Sequence, residues 1–585
     1  DNMLVPTFYG EPDAFAMEIC TAIPEHENAL YLLFEAAFEC FPDRSYIVTS
    51  SPTESTVCYL TRHFARVVPR HNSVFNHELY VLHKNAVLGR LWARVAQVED
   101  KVIISSLVRT LVKPSIIEDM FREAVDVPHG PLKGFTFMCE KQVIGCAIVS
   151  EESDHEYLQL YYNLDDWMNS GETKFGAVGH VEQFLVSPIF QRHIKFFLRE
   201  VHRLSNFDDL MYRLKSFDFM YTHRSMPISN AINNMLPILP NAIPEYSKQI
   251  TEEYHLPAAL NKYHQPFGLY LSTNRITSMV RIEINYRLVV VGAGSTTISF
   301  LESLIFGTNP NYMVVFPNIT VVSPHGIAYH KQPSPIREMV FVGDGHLDRR
   351  YMDSICLRTY VHVVTGVMTM IDRKEKFISL NDDTHLPYDY LFLMCGEQFQ
   401  KPPIKKKEIV KKRVDFPQNV FIINTEADAG NAFNALKNLT ANQKQGNMVV
   451  FGHYLEACCC LAALLEFGVP GNNLVYIDPS PDHIIKMDRH DHLTTYFNNS
   501  AVETAVLDEI LYQGVTIYQD YNFVEWHLDS TRNFITSAKF ESKYKFVEIE
   551  LSALFIYHSK GVSARTFQAM ARSGLVFNGN PNPKI

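Results

Sequence analysis

The sequence predicts a multidomain α/β protein, and two similar segments in its second half carry that prediction. Each segment, at 286–322 and at 447–478, reads as a buried strand, a turn that begins with glycine, a helix and a second strand. Strands that alternate with helices at this spacing form parallel sheets with helices on their faces. A chain of 585 residues is also too long for one hydrophobic core, which indicates three or four domains.

The composition is that of a globular protein. Hydrophobic residues make up 46% and charged residues 20%, and the net charge is −11 without an extended basic face, so nucleic acid is not an expected partner. No apolar run approaches the roughly 20 residues of a membrane span, so no membrane association is expected. The first residues do not form a secretory signal, and Asp1 in place of Met indicates a chain that begins inside a larger protein.

The ten cysteines indicate a reducing compartment, such as the cytoplasm. They are scattered, and Cys458, Cys459 and Cys460 are direct neighbours, which cannot easily pair with one another. No pair has the spacing of a zinc site, so no metal centre is predicted.

The first half of the chain predicts two α+β modules and a linker. Residues 1–85 resemble the closing part of a domain, and residues 91–225 form a second domain. The predicted elements are strands at 14–20, 46–49, 77–83, 135–139, 143–149 and 181–188, and helices at 29–40, 101–111 and 190–204. Residues 226–285 predict a linker, because their first part is rich in proline, asparagine and alanine.

The first glycine turn, G-A-G-S-T-T at 292–297, has the context of a dinucleotide-binding turn, since it follows a strand and opens a helix. Gly292 permits the tight turn, and Gly294 with Ser295 lets the backbone approach a pyrophosphate at the helix N-terminus. The third glycine position is Thr297, whose branched side chain is expected to hold the helix off the strand. Ser323 stands where a ribose-binding carboxylate is expected. The loss of that carboxylate removes a charge-assisted hydrogen bond that would contribute about 1.5–3 kcal/mol to the binding free energy. We therefore expect a vestigial cofactor site, with FAD or NAD(P) binding weak or lost.

The second glycine turn is altered further. Gly452, Tyr454 and Ala457 fill its three glycine positions, and Tyr454 puts a side chain where the backbone would meet phosphate. Asp478 keeps the acidic position at the end of the next strand, so the sequence leaves nucleotide binding open here.

Other candidate sites have a functional and a structural interpretation. Cys458, Cys459 and Cys460 near a helix start are either thiols of lowered pKa or, as we favour, small packing residues. The run DRHDH at 488–492 is either a metal site or a polar loop, and the basic run at 405–413 is either a solvated loop or a docking segment for an acidic partner. We predict no catalytic residues, because no Ser–His–Asp arrangement is specific. Disulfide reductases of this architecture carry two cysteines a few residues apart, whereas the only cysteines between 286 and 396 are Cys356 and Cys395.

Two enzyme families resemble parts of the chain. The segment YDYLFLMCG at 388–396 resembles the close of the first Rossmann domain in flavin-dependent pyridine-nucleotide oxidoreductases. That resemblance implies a FAD-type domain at 286–400 and 551–585 and an NAD(P)-type domain at 447–550. The sequence ends before the Gly-Asp element that contacts the flavin in that superfamily.

Residues 91–205 resemble an acetyltransferase of the GNAT type, with RVAQVED at 94–100 similar to its opening strand and turn. The resemblance implies the C-terminal part of a first acetyltransferase-like domain at 1–85 and a second such domain at 91–225. The phosphate loop of that family would be QRHIKF at 191–196. Ile194 and Phe196 replace its two small residues, and we expect their side chains to fill the space of the pyrophosphate.

The order of these modules resembles the cilia- and flagella-associated protein sixty-one family. The runs that carry the resemblance are AAFECFPDRSY at 36–46, HELYVLH at 77–83, RLVVVGA at 287–293, ISFLE at 298–302 and ITVVSPHG at 319–326. The resemblance implies an axonemal protein of the cytoskeleton, in the calmodulin- and spoke-associated complex at the radial spoke base. It also implies contact with radial spoke proteins and the doublet microtubule, and a role in cilium motility and sperm flagellum function.

The expected function is therefore a non-catalytic scaffold that reuses enzyme folds whose cofactor turns are filled. The alternative is a FAD-dependent NAD(P)H oxidoreductase that retains FAD at Gly292 and Gly294.

Overall fold

The architecture comes from a computed structural model that describes most of the chain. The described residues are 13–21, 29–52, 63–67, 77–109, 111, 113–154, 158, 161–164, 167, 178–215, 229–241, 266–307, 309, 311–327, 349–402, 417–441, 446–479, 499–531, 533–543 and 545–573. The chain divides into two compact units. Unit 1 comprises 1–288, 299–320 and 350–362, and unit 2 comprises 289–298, 321–349 and 363–585.

The described helices and strands confirm a mixed α/β protein. The helices are α1 Leu30–Cys40, α2 Lys84–Leu88, α3 Asp100–Val108, α4 Pro114–Asp126, α5 Ile194–Ser205, α6 Ser229–Ile232, α7 Asn274–Ser278, α8 Ser295–Ile305, α9 Arg349–Ile355, α10 Glu426–Ala441, α11 Leu455–Glu466, α12 Ser500–Tyr512 and α13 Ala564–Arg572. Short 3-10 helices cover Pro188–His193, Leu357–Thr359 and Gly471–Asn473.

The strands lie in several separate sheets. In chain order they are β1 Ala14–Ala16, β2 Tyr46–Pro52, β3 Ala65–Arg66, β4 His77–His83, β5 Leu91–Val95, β6 Leu132–Cys139, β7 Gln142–Glu151, β8 Val178–Val186, β9 Asp209–Lys215, β10 Leu236–Ile238, β11 Phe267–Thr273, β12 Val280–Glu283, β13 Leu288–Val291, β14 Tyr312–Val315, β15 Ile319–Ser323, β16 Val361–Thr365, β17 Met368–Asp372, β18 Phe377–Leu380, β19 His385–Pro387, β20 Tyr390–Leu393, β21 Glu397–Phe399, β22 Val420–Phe421, β23 Asn447–Gly452, β24 Leu474–Asp478, β25 Thr516–Gln519, β26 Asn522–Leu528, β27 Ile535–Glu541, β28 Phe546–Tyr557 and β29 Lys560–Val562.

Unit 1 contains a four-stranded sheet in the order β1-β2-β4-β3 and a seven-stranded sheet in the order β10-β11-β9-β8-β7-β6-β5. One hydrophobic core joins side chains of both predicted modules, including Phe34 of α1, Leu82 of β4, Phe137 of β6 and Phe197 of α5. Each of these four is almost completely buried. The predicted modules at 1–85 and 91–225 therefore share a core in their described parts.

The linker predicted for 226–285 is wrong over its described part. There β10 pairs with β11, and β11 pairs with β9 over its whole length, so both strands extend the seven-stranded sheet. Every residue of β11, FGLYLST, is buried. The proline-rich composition around this segment concealed a core strand. The helix α4 also lay outside the prediction, although Pro114 at its first turn and the buried Ile117 and Phe121 are typical helix signals.

A buried ion pair fixes the start of α3 in unit 1. Nη1 and Nη2 of Arg94 each donate to the carboxylate of Asp100 at 2.7 Å, and Asp100 also accepts hydrogen bonds from the Gln97 amide and the Thr136 hydroxyl. Asp100 is only 2% exposed. Because every bond of this carboxylate is satisfied inside the fold, the pair positions the β5–α3 connection.

The structure confirms both predicted strand–turn–helix–strand segments. The second lies wholly in unit 2, whereas residues 299–320 of the first belong to unit 1. The first lies in a sheet of order β16-β15-β13-β20, beside a three-stranded sheet β17-β18-β19. The second lies in a sheet of order β25-β24-β23-β28-β27-β26, in which β23 runs parallel to both β24 and β28. The strand β28 runs through the boundary predicted at residue 550, so residues 551–557 belong to this second sheet rather than to the FAD-type part.

The two-stranded sheet of β21 and β29 completes unit 2, and α13 follows it. Ala569 and Met570 of α13 are buried in the same core as Val289 of β13 and Val322 of β15. Within the described residues, no helix is long and apolar enough to cross a membrane.

Candidate functional site: two strand-to-helix turns

The first turn is built on a glycine that the backbone requires. Gly292 has a φ of 114°, and a Cβ added there would lie 2.1 Å from the carbonyl oxygen of Met394. Its N–H donates to the carbonyl of Val322 at 2.8 Å. Any side chain at this position would collide with the backbone of the segment before β21, so the glycine serves the fold whether or not a ligand binds.

The surface of the first turn is open. A Cβ added to Gly294 would have no atom within 4 Å, and the helix α8 begins directly afterwards at Ser295. Thr297 is completely buried, and its hydroxyl donates to the carbonyl oxygen of Gly292 at 3.1 Å. The branched side chain thus closes the turn from inside. The predicted displacement of the helix by Thr297 stays a prediction.

Ser323, at the position where a ribose-binding carboxylate is expected, makes a hydrogen bond within the protein. Ser323, at the end of β15, is buried, and its hydroxyl donates to the carbonyl of Gly326 at 2.6 Å. The hydroxyl therefore serves the turn that follows β15. Gly292 and Gly294 fit the backbone approach of a dinucleotide, whereas Ser323 supplies no charge for its ribose.

The second turn keeps the same backbone requirement. Gly452 has a φ of 152°, and a Cβ there would lie 2.2 Å from the carbonyl oxygen of Tyr557 in β28. The helix α11 begins three residues later, and the buried Ala457 donates its N–H to the carbonyl of Tyr454 at 2.8 Å.

The space in front of α11 is filled by the protein itself. The ring of Tyr454 meets the ring of Phe399 edge to face, with 5.5 Å between centroids. The ammonium of Lys560 lies 4.6 Å from the Tyr454 ring centroid and 4.8 Å from that of Phe399. The same ammonium donates to Glu456 Oε1 at 2.7 Å. Phe399 and Lys560 belong to the paired strands β21 and β29, so Tyr454 joins α11 to this two-stranded sheet.

The acidic residue at the second turn is also engaged. Nδ1 of His453 donates to Oδ1 of Asp478 at 2.9 Å, and both side chains are more than three-quarters buried. Asp478 therefore has a partner from the turn itself, in the place where it would bind a ribose hydroxyl. These residues do not fit a bound NAD(P) in this arrangement. The sequence suggested the role of Tyr454, but gave no sign of the His453–Asp478 pair or of Lys560.

The cysteines of α11 are packing residues. Burial raises the pKa of the Cys460 thiol to about 12 and, with the neighbouring Cys459, raises that of Cys458 to about 11. Cys460 is completely buried in the core. The alternative of lowered thiol pKa values is therefore wrong, because burial disfavours the thiolate form of all three cysteines. Burial also raises the pKa of Cys395.

The predicted acetyl-CoA loop is helical and covered. A 3-10 helix spans Pro188–His193 and leads directly into α5. Gln191 Nε2 donates to the carbonyl of Phe64 at 3.3 Å, and His193 Nε2 donates to that of Ala86 at 2.7 Å. Phe64 of the first module and Ala86 just after it thus contact this segment.

The two residues at the small positions of this loop differ in burial. The Ile194 side chain is 2% exposed and lies in the core, since it is on the inner face of α5. Phe196 is half-buried and packs edge to face on Phe197. The expected filling of the pyrophosphate space by these two side chains stays a prediction.

Two predicted candidates lie outside the described residues, namely 488–492 and 405–413. Across the part of the chain that is described, no group of three or more His, Cys, Asp or Glu side chains could hold a metal ion.

Several solved oxidoreductase structures are similar to about half of the chain, at low sequence identity. They include a ferredoxin reductase from Rhodopseudomonas palustris, at 12% identity over 50% of this chain and 63% of that chain, with a TM-score of 0.36. An NAD-dependent persulfide reductase from A. fulgidus is 16% identical over 50% of this chain and 49% of that chain, with a TM-score of 0.34. The sulfide:quinone oxidoreductase of Aquifex aeolicus is 14% identical over 52% and 64%, with a TM-score of 0.34.

A relative of this chain is named as a cilia- and flagella-associated protein, which confirms the predicted family resemblance. The chain is 22% identical over 580 residues to Cilia- and flagella-associated protein 61 of Tetrahymena thermophila. The match covers 87% of this chain and 33% of the relative, so the chain spans about a third of that protein's length. No protein-family model matches the chain.

Proposed function

We propose that the chain is part of a non-catalytic structural component of the ciliary or flagellar axoneme. The observation that carries the proposal is the filled second turn, where Tyr454 packs on Phe399 and Lys560 in front of the helix α11. A turn whose own side chains satisfy one another favours stability over ligand exchange. The ciliary assignment follows the relative of Tetrahymena thermophila.

In this proposal the chain acts in the calmodulin- and spoke-associated complex at the radial spoke base. Its partners are proteins of that complex, radial spoke proteins and the doublet microtubule, and its loss impairs cilium motility and sperm flagellum function. Residues 91–225 are of acetyltransferase-like descent, a proposal supported by the parallel pairing of β8 with β9 on either side of α5.

The test is replacement of the full-length protein in ciliated cells by a tagged version. We expect the tag along the axoneme, loss of motility on depletion, and rescue by a variant in which Gly294→Trp blocks the first turn. Spoke proteins should co-purify with a preparation stripped of cofactor. A tag outside the cilium, or rescue that requires an open first turn, would contradict the scaffold.

A second candidate function is a FAD-dependent NAD(P)H oxidoreductase. The open surface at Gly294 favours it, because the backbone there is accessible to a pyrophosphate. FAD would lie at Gly292, Gly294 and Ser295 and would supply the redox chemistry. An absorbance spectrum of the purified protein tests this: flavin bands near one per chain, with NADPH oxidation, would support the enzyme.

A further inference from the structure

The helix α12 of unit 2 ends in an exposed apolar turn. Ile510 is buried in the core of the second sheet, and Val506 and Leu507 pack against that core. In contrast, Leu511 is 55% exposed and Tyr512 is 85% exposed. Single exposed apolar side chains are common on protein surfaces, but these two are neighbours in the last turn of one helix. This turn therefore presents an apolar surface that its own sheet does not cover.

The charges of the same turn oppose the helix dipole. Asp508 and Glu509 are both exposed, and the last turn of α12 contains no basic residue. The carbonyl end of a helix carries a partial negative charge, so carboxylates destabilise it and cations stabilise it. Glu509 accepts a hydrogen bond from Gln513 Nε2 at 2.7 Å, but within the described residues Asp508 has no hydrogen-bond or ion-pair partner. The carboxylates of α12 therefore lack a compensating cation.

The surroundings of α12 add to this negative charge. Residues 446–479 and 499–531, which form β23 to β26 with α11 and α12, contain nine Asp and Glu residues but no Lys or Arg. The helix α11 also ends without a basic residue, and Glu466 in its last turn is exposed. The segments after the two helices touch, because a Cβ added to Gly471 would collide with the carbonyl oxygen of Gln513. Two helix ends and their carboxylates thus give this part of unit 2 a negative potential.

We propose that the last turn of α12 binds a basic segment of a partner protein in which arginines flank apolar residues. The guanidinium groups of the segment pair with Asp508 and Glu509 and stack on the ring of Tyr512, and its apolar side chains cover Leu511. Guanidinium groups bind carboxylates through paired hydrogen bonds and lie favourably over aromatic rings, which gives the turn its selectivity. This site goes beyond the proposed function and does not depend on either glycine turn.

A structural role does not account for these charges. Lys437 of α10 is the one Lys or Arg residue in α10, α11 and α12. Its ammonium lies 4.7 Å from the ring centroid of Phe433, and that ring packs on Phe467 just after α11. This cation therefore serves the contact between α10 and α11, and it forms no ion pair with Asp508 or Glu509.

The experiment uses the whole chain and a fluorescent peptide of two Arg-Arg-Leu-Ala repeats, with binding followed by anisotropy at low salt. A peptide of two Arg-Arg-Gly-Ala repeats keeps the charge and lacks the leucines, and it should bind at least about threefold more weakly. We expect Asp508→Asn/Glu509→Gln to weaken binding of the leucine peptide about tenfold and Tyr512→Ala to weaken it about threefold.

The matched control is Asp520→Asn/Glu550→Gln, which removes the same charge from two exposed positions outside α12 and should keep the affinity of wild type within about twofold. The Asp508→Asn/Glu509→Gln variant should melt at or above the temperature of wild type, because its changes relieve the helix end. A loss of binding in that variant is then not a loss of fold. Equal affinities of the two double variants, equal binding of the two peptides, or no saturable binding to wild type would each overturn the proposal.

Discussion

The two glycine turns of unit 2 have the same backbone requirement, but they differ in the side chains that lie in front of them. Gly292 and Gly452 each face a carbonyl oxygen that leaves no room for a Cβ. In front of the first turn Gly294 is open, whereas in front of the second Tyr454 packs on Phe399 and Lys560. A glycine at the first position of such a turn is therefore required by the strand–helix geometry and is not evidence of a ligand. Ligand binding must be judged from the later residues of the turn.

The largest predicted effect concerns the shared backbone. Gly452→Ala and Gly292→Ala should each lower the free energy of unfolding by at least about 3 kcal/mol, because a Cβ would collide with fixed backbone. Gly294→Ala is the matched control and should cost less than about 1 kcal/mol, since its Cβ meets nothing. Urea unfolding measures all three, and equal costs for Gly294 and Gly292 would break the comparison.

The filling of the second turn should have the next largest effect. Tyr454→Ala removes a ring that joins α11 to the strands β21 and β29, so we expect a loss of about 2 kcal/mol in the free energy of unfolding. Tyr454→Phe retains the ring and should stay within about 0.5 kcal/mol of wild type. A Tyr454→Ala variant as stable as wild type would show that the ring fills no structural role.

The cation above the Tyr454 ring can be tested by coupling. Lys560→Met keeps an apolar stem but loses the ammonium that contacts both Glu456 and the two rings. In a double-mutant cycle with Tyr454→Leu, we expect a coupling energy of about 0.5–1 kcal/mol. Additive losses would mean that Lys560 and Tyr454 act independently.

The thiols of α11 should show the smallest effect, measured as reactivity. At pH 8 the raised pKa values of Cys458 and Cys460 keep both as thiols, so iodoacetamide should label the exposed Cys40 first and leave Cys460 unlabelled in the folded protein. Because both pKa values exceed that of a free thiol, labelling of Cys458 and Cys460 should lag behind that of Cys40 at every pH at which the protein stays folded. Mass spectrometry of the digested protein reads this out, and early labelling of Cys460 would contradict its burial.

Local patterns predicted the two strand–turn–helix–strand segments well and the contacts of their side chains poorly. The strand β24 and the start of α11 fall where the sequence pattern placed them, because a buried run, a glycine and a helical period are local signals. Lys560 and Glu456 are 104 residues apart, and no local pattern brings them together. The pair of His453 and Asp478 depends on the register of β23 and β24 in the same way.

In the predicted linker at 226–285, by contrast, the local pattern missed a strand. Its proline-rich part suggested an irregular segment, yet β11 supplies seven buried residues to a sheet. A short apolar run without alternation does not by itself distinguish a central strand from other buried structure. Pairing with β9 and β10, which is not local, decided the outcome.

The central claim is that Tyr454, packed on Phe399 and Lys560, fills the second turn and prevents a dinucleotide from binding there. Isothermal titration of the wild-type chain with NADPH, beside a Tyr454→Gly/Lys560→Met variant, tests it most directly. We predict no saturable binding to wild type up to millimolar ligand. Micromolar binding to wild type that is lost when Asp478→Ala is introduced would contradict it.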